Sequence, residues 1–203
     1  MTEANKKYKV VLVGETHTGK TAIIQRIVND RFEDNYESTM VASTLSTQVD
    51  LEGGQTVKFE IWDTAGQEKY RSINKIFYKD ASIVIMVYDI TKRNTYAEIK
   101  NYWYNQIVTM CNKNPIIAIV GNKSDLYIRE EVKEKEAKEY AKEIGAVFQL
   151  TSCLRSEGIR ELMQAIGQKA LGEIEQKESH EQGGIDISKE KKEKKEKKDK
   201  CCK

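Results

Sequence analysis

The stretch YKVVLVGETHTGKTAIIQRIVN, residues 8–29, decides how this sequence folds. Its first six residues are almost all apolar, which predicts a buried strand, and residues 20–29 carry isoleucine and valine at helical spacing. The polar segment GETHTGKT, residues 14–21, has the glycine, lysine and threonine spacing of a phosphate-binding loop. In such a loop backbone N–H groups surround phosphate oxygens, and the helix N-terminus adds favourable charge. The sequence therefore predicts a strand, a phosphate-binding loop and a helix in that order.

Two side chains of this loop have predicted roles. Lys20 is placed to reach the β- and γ-phosphates of a nucleotide, and the Thr21 hydroxyl is placed to bind Mg²⁺. The alternative is an ordinary turn between strand and helix that is rich in glycine and threonine. The strand and the helix on either side favour the phosphate loop.

Further apolar patterns predict the rest of the fold. Near-continuous apolar runs predict parallel strands covered on both faces, and two alternating runs around Gly53-Gly54 predict a hairpin. The strands after the first are expected at residues 44–51, 56–63, 82–89, 115–122 and 146–150. Amphipathic helices are expected at residues 94–111, 130–144 and 157–174. These elements predict an α/β fold: a six-stranded, mostly parallel sheet with one antiparallel hairpin strand and helices on both faces.

Length and charge limit the function. A chain of 203 residues fits one domain with an appendage. Residues 1–175 carry 24 basic and 25 acidic side chains, and this balance argues against binding to nucleic acid, which requires a strongly basic face. No apolar run approaches the roughly 18 residues of a membrane-spanning helix. The N-terminus shows neither the apolar stretch of a signal peptide nor the glycine needed for myristoylation, so we expect a protein made and kept in the cytosol.

From Gln176 the apolar pattern stops. Residues 176–203 hold ten lysines and seven acidic residues, and the repeat KEKKEKKEKKDK at 189–200 offers nothing apolar to build a core. We expect residues 1–175 to form one domain and residues 176–203 to be a flexible charged tail. The alternative is a transient helix supported by Glu–Lys pairs four residues apart, but isolated helices of this length are marginal in water.

A second motif, WDTAGQE at residues 62–68, lies at the end of a predicted strand. A carboxylate at this place beside a phosphate loop can hold Mg²⁺ through bound water, which gives Asp63 that role. Gly66 lets its backbone N–H approach a γ-phosphate closely, and Gln67 is placed to orient an attacking water. Taken alone, the motif is also compatible with an acidic strand end and a turn.

A third motif, GNKSD at residues 121–125, follows a buried strand. The Asp125 carboxylate can accept hydrogen bonds from both the ring N–H and the exocyclic amine of guanine, whereas adenine offers no such pair. Asn122 and Lys123 are expected to tie this loop to the phosphate loop and to pack along the base. A plain polar turn is the alternative for this motif alone. Three motifs in order at strand ends favour a nucleotide site, because ligands of open α/β sheets bind at that edge.

Seven segments together resemble a known family: GETHTGKT, the Ser-Thr pair at 38–39, KFEIWDTAGQEKYRSI, FYKDA, YDIT, GNKSD and the C-terminal Cys-Cys. By these motifs, residues 7 to about 175 resemble a small Ras-type GTPase, specifically of the Rab family. The resemblance implies the P-loop GTPase fold, binding of GTP or GDP with Mg²⁺, slow GTP hydrolysis and a membrane-anchored switch in vesicle trafficking. It also implies a monomer that meets an exchange factor, a GTPase-activating protein, escort or dissociation-inhibitor proteins, and effectors at its switch regions.

The resemblance also assigns roles to single residues. Thr39 is implied to bind Mg²⁺ through its hydroxyl and the γ-phosphate through its N–H, Phe32 to lie edge-on against guanine, and Tyr36 to cover the phosphates. The implied catalytic residues are Gln67 and Lys20, and the implied metal ligands are Thr21, Thr39 and Asp63. The implied nucleotide contacts are Thr16, His17, Thr18, Gly19, Lys20, Thr21, Ala22, Phe32, Tyr36, Thr39, Gly66, Asn122, Lys123, Asp125, Ser152, Cys153 and Leu154.

Three places depart from the family pattern. His17 stands where glycine or alanine is usual, and histidine tolerates positive φ better than most residues, which favours an exposed loop residue over a catalytic one. Ser152-Cys153-Leu154 replaces Ser-Ala-Lys. The Cys153 backbone N–H can still meet the guanine carbonyl oxygen, whereas Leu154 loses a charge, which predicts slightly weaker nucleotide binding. A catalytic thiol at Cys153 is the alternative, although no base is evident to activate it. Thr44 replaces a switch phenylalanine, so partner identity is the least transferable inference.

The adjacent Cys201 and Cys202 resemble the double geranylgeranylation signal of Rabs. Two lipid chains give firm anchoring where one is marginal, and the lysine-rich stretch before them adds attraction to anionic membranes. A redox pair or part of a metal site is the alternative. We therefore expect the protein at the cytosolic face of intracellular membranes, with a cytosolic pool.

Two other function classes stay open. One is a guanine-nucleotide-binding module with little or no intrinsic hydrolysis, which the unusual loop residues favour and Gln67 opposes. The other is a P-loop ATPase or kinase, which Asp125 opposes because its carboxylate fits guanine and not adenine.

Overall fold

A computed structural model describes residues 7–32, 43–52, 54–63 and 78–182 of the chain. The strands are β1 (Lys7–Val13), β2 (Ser43–Asp50), β3 (Thr56–Asp63), β4 (Ile83–Asp89), β5 (Ile116–Asn122) and β6 (Val147–Thr151). The α-helices are α1 (Lys20–Asn29), α2 (Arg93–Glu98), α3 (Tyr104–Met110), α4 (Glu134–Glu143) and α5 (Ile159–Gln182). A π-helical turn (Ile99–Trp103) joins α2 to α3, and a 3₁₀ helix (Ser124–Arg129) follows β5.

The strands form one six-stranded sheet in the order β2-β3-β1-β4-β5-β6. β2 and β3 pair antiparallel, and every other neighbouring pair is parallel. All seven residues of the central strand β4 are buried, as the apolar run predicts for a strand covered on both faces. In β3, by contrast, buried residues alternate with more exposed ones. The predicted mostly parallel sheet with one antiparallel strand is therefore confirmed.

The helix predicted at residues 94–111 is present, but its middle is wound more loosely than the periodicity suggests. The backbone N–H of Tyr104 donates to the carbonyl oxygen of Ile99, five residues back, which is the π-helical pattern. Ile99 and Trp103 are both buried in the core. Both side chains lie on the apolar face that the helical spacing predicts, whereas the π-helical turn itself was not predicted.

Helix α5 continues to Gln182, beyond residue 174 where the sequence pattern predicts its end. The chain divides into two compact units, Met1–Lys169 and Ala170–Lys203, and the second begins inside this helix. The predicted boundary between domain and tail after residue 175 stays a prediction. Among the helices of the described residues, none is both long enough and apolar enough to cross a membrane.

The five parallel strands bring their carboxyl ends to one edge of the sheet. The last residues of these strands are Val13, Asp63, Asp89, Asn122 and Thr151. Three of them, Asp63, Asp89 and Asn122, are charged or amide side chains that are nearly fully buried. This is the edge at which ligands of open α/β sheets bind.

Candidate functional site

The loop between β1 and α1 depends on two glycines with positive φ. Gly14 has φ 140° and Gly19 has φ 94°. A Cβ at Gly14 would overlap the carbonyl oxygen of Val87, and one at Gly19 would overlap the side-chain amide of Asn122. Both backbone conformation and close packing therefore require glycine, and the loop lies directly against β4 and β5.

His17 lies in the same loop with φ 61°, in the left-handed region that histidine tolerates better than most residues. Its side chain is exposed, and its carbonyl oxygen accepts a hydrogen bond of 2.8 Å from Lys123 Nζ. The unusual residue is thus accommodated in the loop conformation expected for it. Its predicted contact with nucleotide stays a prediction.

Lys20 opens helix α1 and is nearly fully buried. Its Nζ donates to the carbonyl oxygens of Gly14 at 2.9 Å and Glu15 at 2.8 Å. Burial lowers the pKa of Lys20 to about 8, although the carboxylates of Asp63 and Glu15 oppose this shift. The loop therefore holds one cation at its centre, where phosphate oxygens would meet it.

Thr21 and Asp63 bring two oxygen ligands together beside this cation. The Thr21 hydroxyl lies 3.4 Å from Asp63 Oδ1, and Asp63 is 4% exposed. Mg²⁺ prefers a few protein oxygens and completes its shell with water and phosphate. No group of three or more histidine, cysteine or acidic side chains able to hold a metal occurs in the described part of the chain. The Thr21 hydroxyl and the Asp63 carboxylate are two oxygen ligands of the kind that Mg²⁺ accepts.

The Asn122 side chain, at the end of β5, connects the phosphate loop to the end of β6. Its Nδ2 donates to the Thr18 carbonyl oxygen at 2.9 Å, and its Oδ1 accepts from the Thr151 hydroxyl at 3.0 Å. All three residues are buried. The predicted tie between the loop after β5 and the phosphate loop is therefore present, and the same side chain also fixes the end of β6.

Lys123 makes a second tie to the phosphate loop. Besides its bond to His17, its Nζ forms an ion pair of 2.7 Å with Asp89 Oδ2. Burial alone would raise the pKa of Asp89, but hydrogen bonds from Lys123 and Thr91 outweigh it and hold that pKa below its usual range. Sequence reasoning assigned no role to Asp89, although an acidic residue that ends a fully buried strand was a signal for one.

Asp125 is positioned by Ser152. The Ser152 hydroxyl donates to Asp125 Oδ1 at 2.5 Å and accepts from the Arg155 backbone N–H at 3.1 Å. Ser152 is fully buried, so this hydroxyl has a fixed place. The carboxylate predicted to read guanine is therefore oriented from the neighbouring loop, a role that the sequence did not assign to the serine side chain.

Cys153 is 4% exposed, and its thiol lies 3.5 Å from Asn122 Oδ1. Burial raises the pKa of this thiol to about 11, so it stays protonated near neutral pH. A reactive thiolate, the alternative considered from the sequence, does not fit this environment. Leu154, the next residue, is 54% exposed.

The remaining predicted residues divide into described and undescribed positions. Ala22 is buried at the start of α1, Thr16 is half-buried in the phosphate loop, and the Phe32 ring centroid lies 5.8 Å from the Arg26 guanidinium carbon. Thr44 is exposed on β2, paired in register with Trp62. The predicted residues outside the described part of the chain are Tyr36, Thr39, Gly66, Gln67, Cys201 and Cys202.

Comparison with known proteins agrees with this geometry. A sequence model described as the Ras family matches residues 9–172, a span that includes every described site residue. Ras-related protein Rab-21 of Geodia cydonium is 38% identical over 169 residues, which cover 83% of this chain and 73% of that protein. Ras-related protein Rab-31 of Homo sapiens is 37% identical over 199 residues, which cover 98% of this chain and 99% of that protein.

Proposed function

The chain belongs to the Ras family, as a Rab-type small GTPase of vesicle trafficking, and we propose roles for its residues in nucleotide binding and hydrolysis. The loop around Lys20 and the loop of Asp125 are joined by two side chains, Asn122 and Lys123, across the same edge of the sheet. A nucleotide that bridges the two loops would meet a cation at its phosphates and a carboxylate at its base.

Guanine selection rests on Asp125. With Ser152 bonded to Oδ1, the carboxylate is oriented to accept from the ring N–H and the exocyclic amine of guanine. Adenine would leave the carboxylate without these donors, and unpaired buried polar groups are penalised strongly. The rival class of P-loop ATPase or kinase is therefore disfavoured.

Mg²⁺ would be held by Thr21 and Asp63, together with Thr39 from the first switch region. When bound, the ion would neutralise charge on the β- and γ-phosphates. The proposed role of this chain is to present the Thr21 hydroxyl and the Asp63 carboxylate beside the phosphate loop, and the distance of 3.4 Å between them supports it.

Hydrolysis is the in-line attack of water on the γ-phosphate, which releases phosphate and leaves GDP. Lys20 stabilises the charge on the phosphate oxygens, and Gln67 orients the water. Small GTPases turn over slowly on their own, on the order of 10⁻⁴ s⁻¹, and an activating protein raises this by about 10³ to 10⁵. We therefore propose that an activating protein controls the rate of GTP hydrolysis by this protein.

Regulators and effectors are the partners of this family. For this chain we propose an exchange factor, a GTPase-activating protein, escort or dissociation-inhibitor proteins, and effectors that read the switch regions. Prenylated Cys201 and Cys202 would anchor the protein at the cytosolic face of intracellular membranes, leaving a cytosolic pool. Ten lysines after residue 176 would strengthen binding to anionic lipids.

A single-turnover assay tests the proposed hydrolysis. The purified protein is loaded with GTP and Mg²⁺, and GTP and GDP are followed by ion exchange over hours. Slow conversion that Gln67→Leu abolishes and the matched change Gln48→Leu leaves intact supports the proposal. Retained GTP without conversion would instead support a guanine-nucleotide-binding module, the second candidate, which the departures at His17 and Leu154 favour.

A further inference from the structure

Arg26 has no role in the site described so far, yet its side chain is only 14% exposed, and each of its three guanidinium nitrogens donates a hydrogen bond. Its Nε donates to the Cys153 carbonyl oxygen at 2.6 Å, and its Nη2 donates to the Leu154 carbonyl oxygen at 3.3 Å. Its Nη1 donates to the carbonyl oxygen of Asp30 at 3.0 Å. One guanidinium in the last turn of α1 therefore bonds two consecutive carbonyl groups of the loop after β6.

The same side chain also reaches the segment that follows α1. The Phe32 ring centroid lies 5.8 Å from the guanidinium carbon, within the range of a cation–π contact. A second bond joins the same two regions, since the Ser156 hydroxyl donates to Asp30 Oδ1 at 3.1 Å. Arg26 therefore contacts both the loop after β6 and the segment that contains Phe32.

The Cys153 backbone N–H belongs to the peptide group that also carries the Ser152 carbonyl. This peptide is held because the Ser152 carbonyl oxygen accepts from the Glu157 N–H at 3.1 Å, and a planar peptide turns as one unit. Arg26 fixes the next two peptide groups through the Cys153 and Leu154 carbonyl oxygens, so the backbone on the other side of Cys153 is held as well. Because the Leu154 side chain is exposed, its packing does not fix the loop, and the backbone hydrogen bonds do.

We propose that Arg26 is a positioning residue for the guanine base, and that it slows nucleotide release. By fixing the two peptide groups that follow the Cys153 N–H, it keeps this N–H directed towards the carbonyl oxygen of the base, and it holds Phe32 beside it. The inference rests on the proposed nucleotide site. The planar fork of arginine serves several carbonyl oxygens at once, whereas a lysine ammonium acts as a single point charge.

The test compares release of three nucleotides from the full chain: GDP, 6-thio-GDP and IDP. The first analogue replaces the carbonyl oxygen that Cys153 would meet with sulfur, a weaker acceptor, and IDP lacks the amine that Asp125 would bind. Arg26→Ala should release GDP about 10- to 100-fold faster, given the strength of charge-assisted hydrogen bonds. The preference for GDP over 6-thio-GDP should fall towards one. The preference for GDP over IDP should persist, because Ser152 still orients Asp125.

Two further variants separate positioning from general destabilisation. Arg26→Lys, which keeps the charge but not the fork, should give an intermediate release rate and carries the test if Arg26→Ala does not fold. Arg93→Ala is the matched control, since Arg93 makes a comparable double contact with Glu136 on an exposed surface. It should leave all three release rates unchanged.

The outcomes are distinguishable. A wild-type protein that binds no guanine nucleotide overturns the proposed function and this inference with it. A wild-type protein that binds GDP selectively, with Arg26 variants that keep its release rate or lose both preferences equally, overturns the inference alone. Faster release with selective loss of the 6-thio-GDP preference supports it.

Discussion

The phosphate loop and the base loops lie at the same edge of the sheet but are built from different contacts. At the phosphate end, two glycines shape the backbone around one buried cation, Lys20. At the base end, the Asp125 carboxylate is oriented by Ser152, and Arg26 bonds the carbonyl oxygens beside it. The first end depends on charge, and the second depends on the direction of hydrogen bonds. Affinity and selectivity should therefore respond to different perturbations.

Loss of the cation should have the largest effect. Lys20→Met keeps most of the apolar stem but removes the charge, so the GDP dissociation constant should rise at least about 100-fold, the scale of charge-assisted hydrogen bonds to phosphate. Isothermal titration measures it, with the exposed Lys133→Ala as control. The preference for GDP over IDP should be retained, because the base loops are untouched. Affinity within about threefold of wild type would show that charge does not dominate this end.

A change of pH should act on the phosphate end alone. Burial lowers the pKa of Lys20 to about 8, and phosphate favours its charged form, so GDP binding should take up a proton as the pH rises past that value. Affinity should fall about fivefold between about pH 8 and pH 9, and more steeply above pH 9. The unfolding free energy should instead rise with pH between the folded value and the ordinary lysine value, because the unfolded chain binds more protons there.

Titration of wild type and Lys20→Met in buffers of different ionisation enthalpy checks the proton uptake. Equal proton uptake in the two proteins would assign it to another group. An unchanged ratio of GDP to IDP affinity across the pH range is also expected, since base selection does not involve Lys20.

Removal of the hydroxyl beside the carboxylate should act on the base end. Ser152→Ala should weaken GDP binding about fivefold, because Asp125 loses one oriented hydrogen bond and the Arg155 N–H loses its acceptor. Competition of GDP against IDP should show the preference falling, which distinguishes this variant from Lys20→Met. The exposed Thr109→Ala is the control. An unchanged preference would mean that Asp125 is oriented without Ser152.

The smallest effect is expected from the unusual cysteine. Cys153→Ala should change GDP affinity by less than about twofold, because the thiol is a weak donor at 3.5 Å and the base contact uses backbone. The free energy of unfolding should fall by about 1 kcal/mol through lost packing. Chemical denaturation and GDP titration measure the two quantities. A large loss of affinity would give the thiol a direct role.

Local pattern in the sequence predicted most of the fold, because strands and helices follow from the spacing of apolar residues. The phosphate loop was also readable, since its glycines, Lys20 and Thr21 are adjacent in the chain. The π-helical turn was not readable from the spacing of apolar residues. Asp89 and Arg26 were missed because their partners lie far along the chain: the pairing of β4 with β5 brings Lys123 to Asp89, and only the tertiary fold brings the loop after β6 to Arg26 on helix α1.

Exchange of the base selectivity tests whether Asp125 selects guanine. Asp125→Asn replaces an acceptor carboxylate with an amide, which complements the carbonyl group that xanthine carries in place of the guanine amine. The affinities of wild type and variant for GDP and xanthosine diphosphate are measured by titration. We predict that the variant loses GDP affinity by about 100-fold or more and gains preference for xanthosine diphosphate. Unchanged GDP binding without that gain would contradict a guanine site at Asp125.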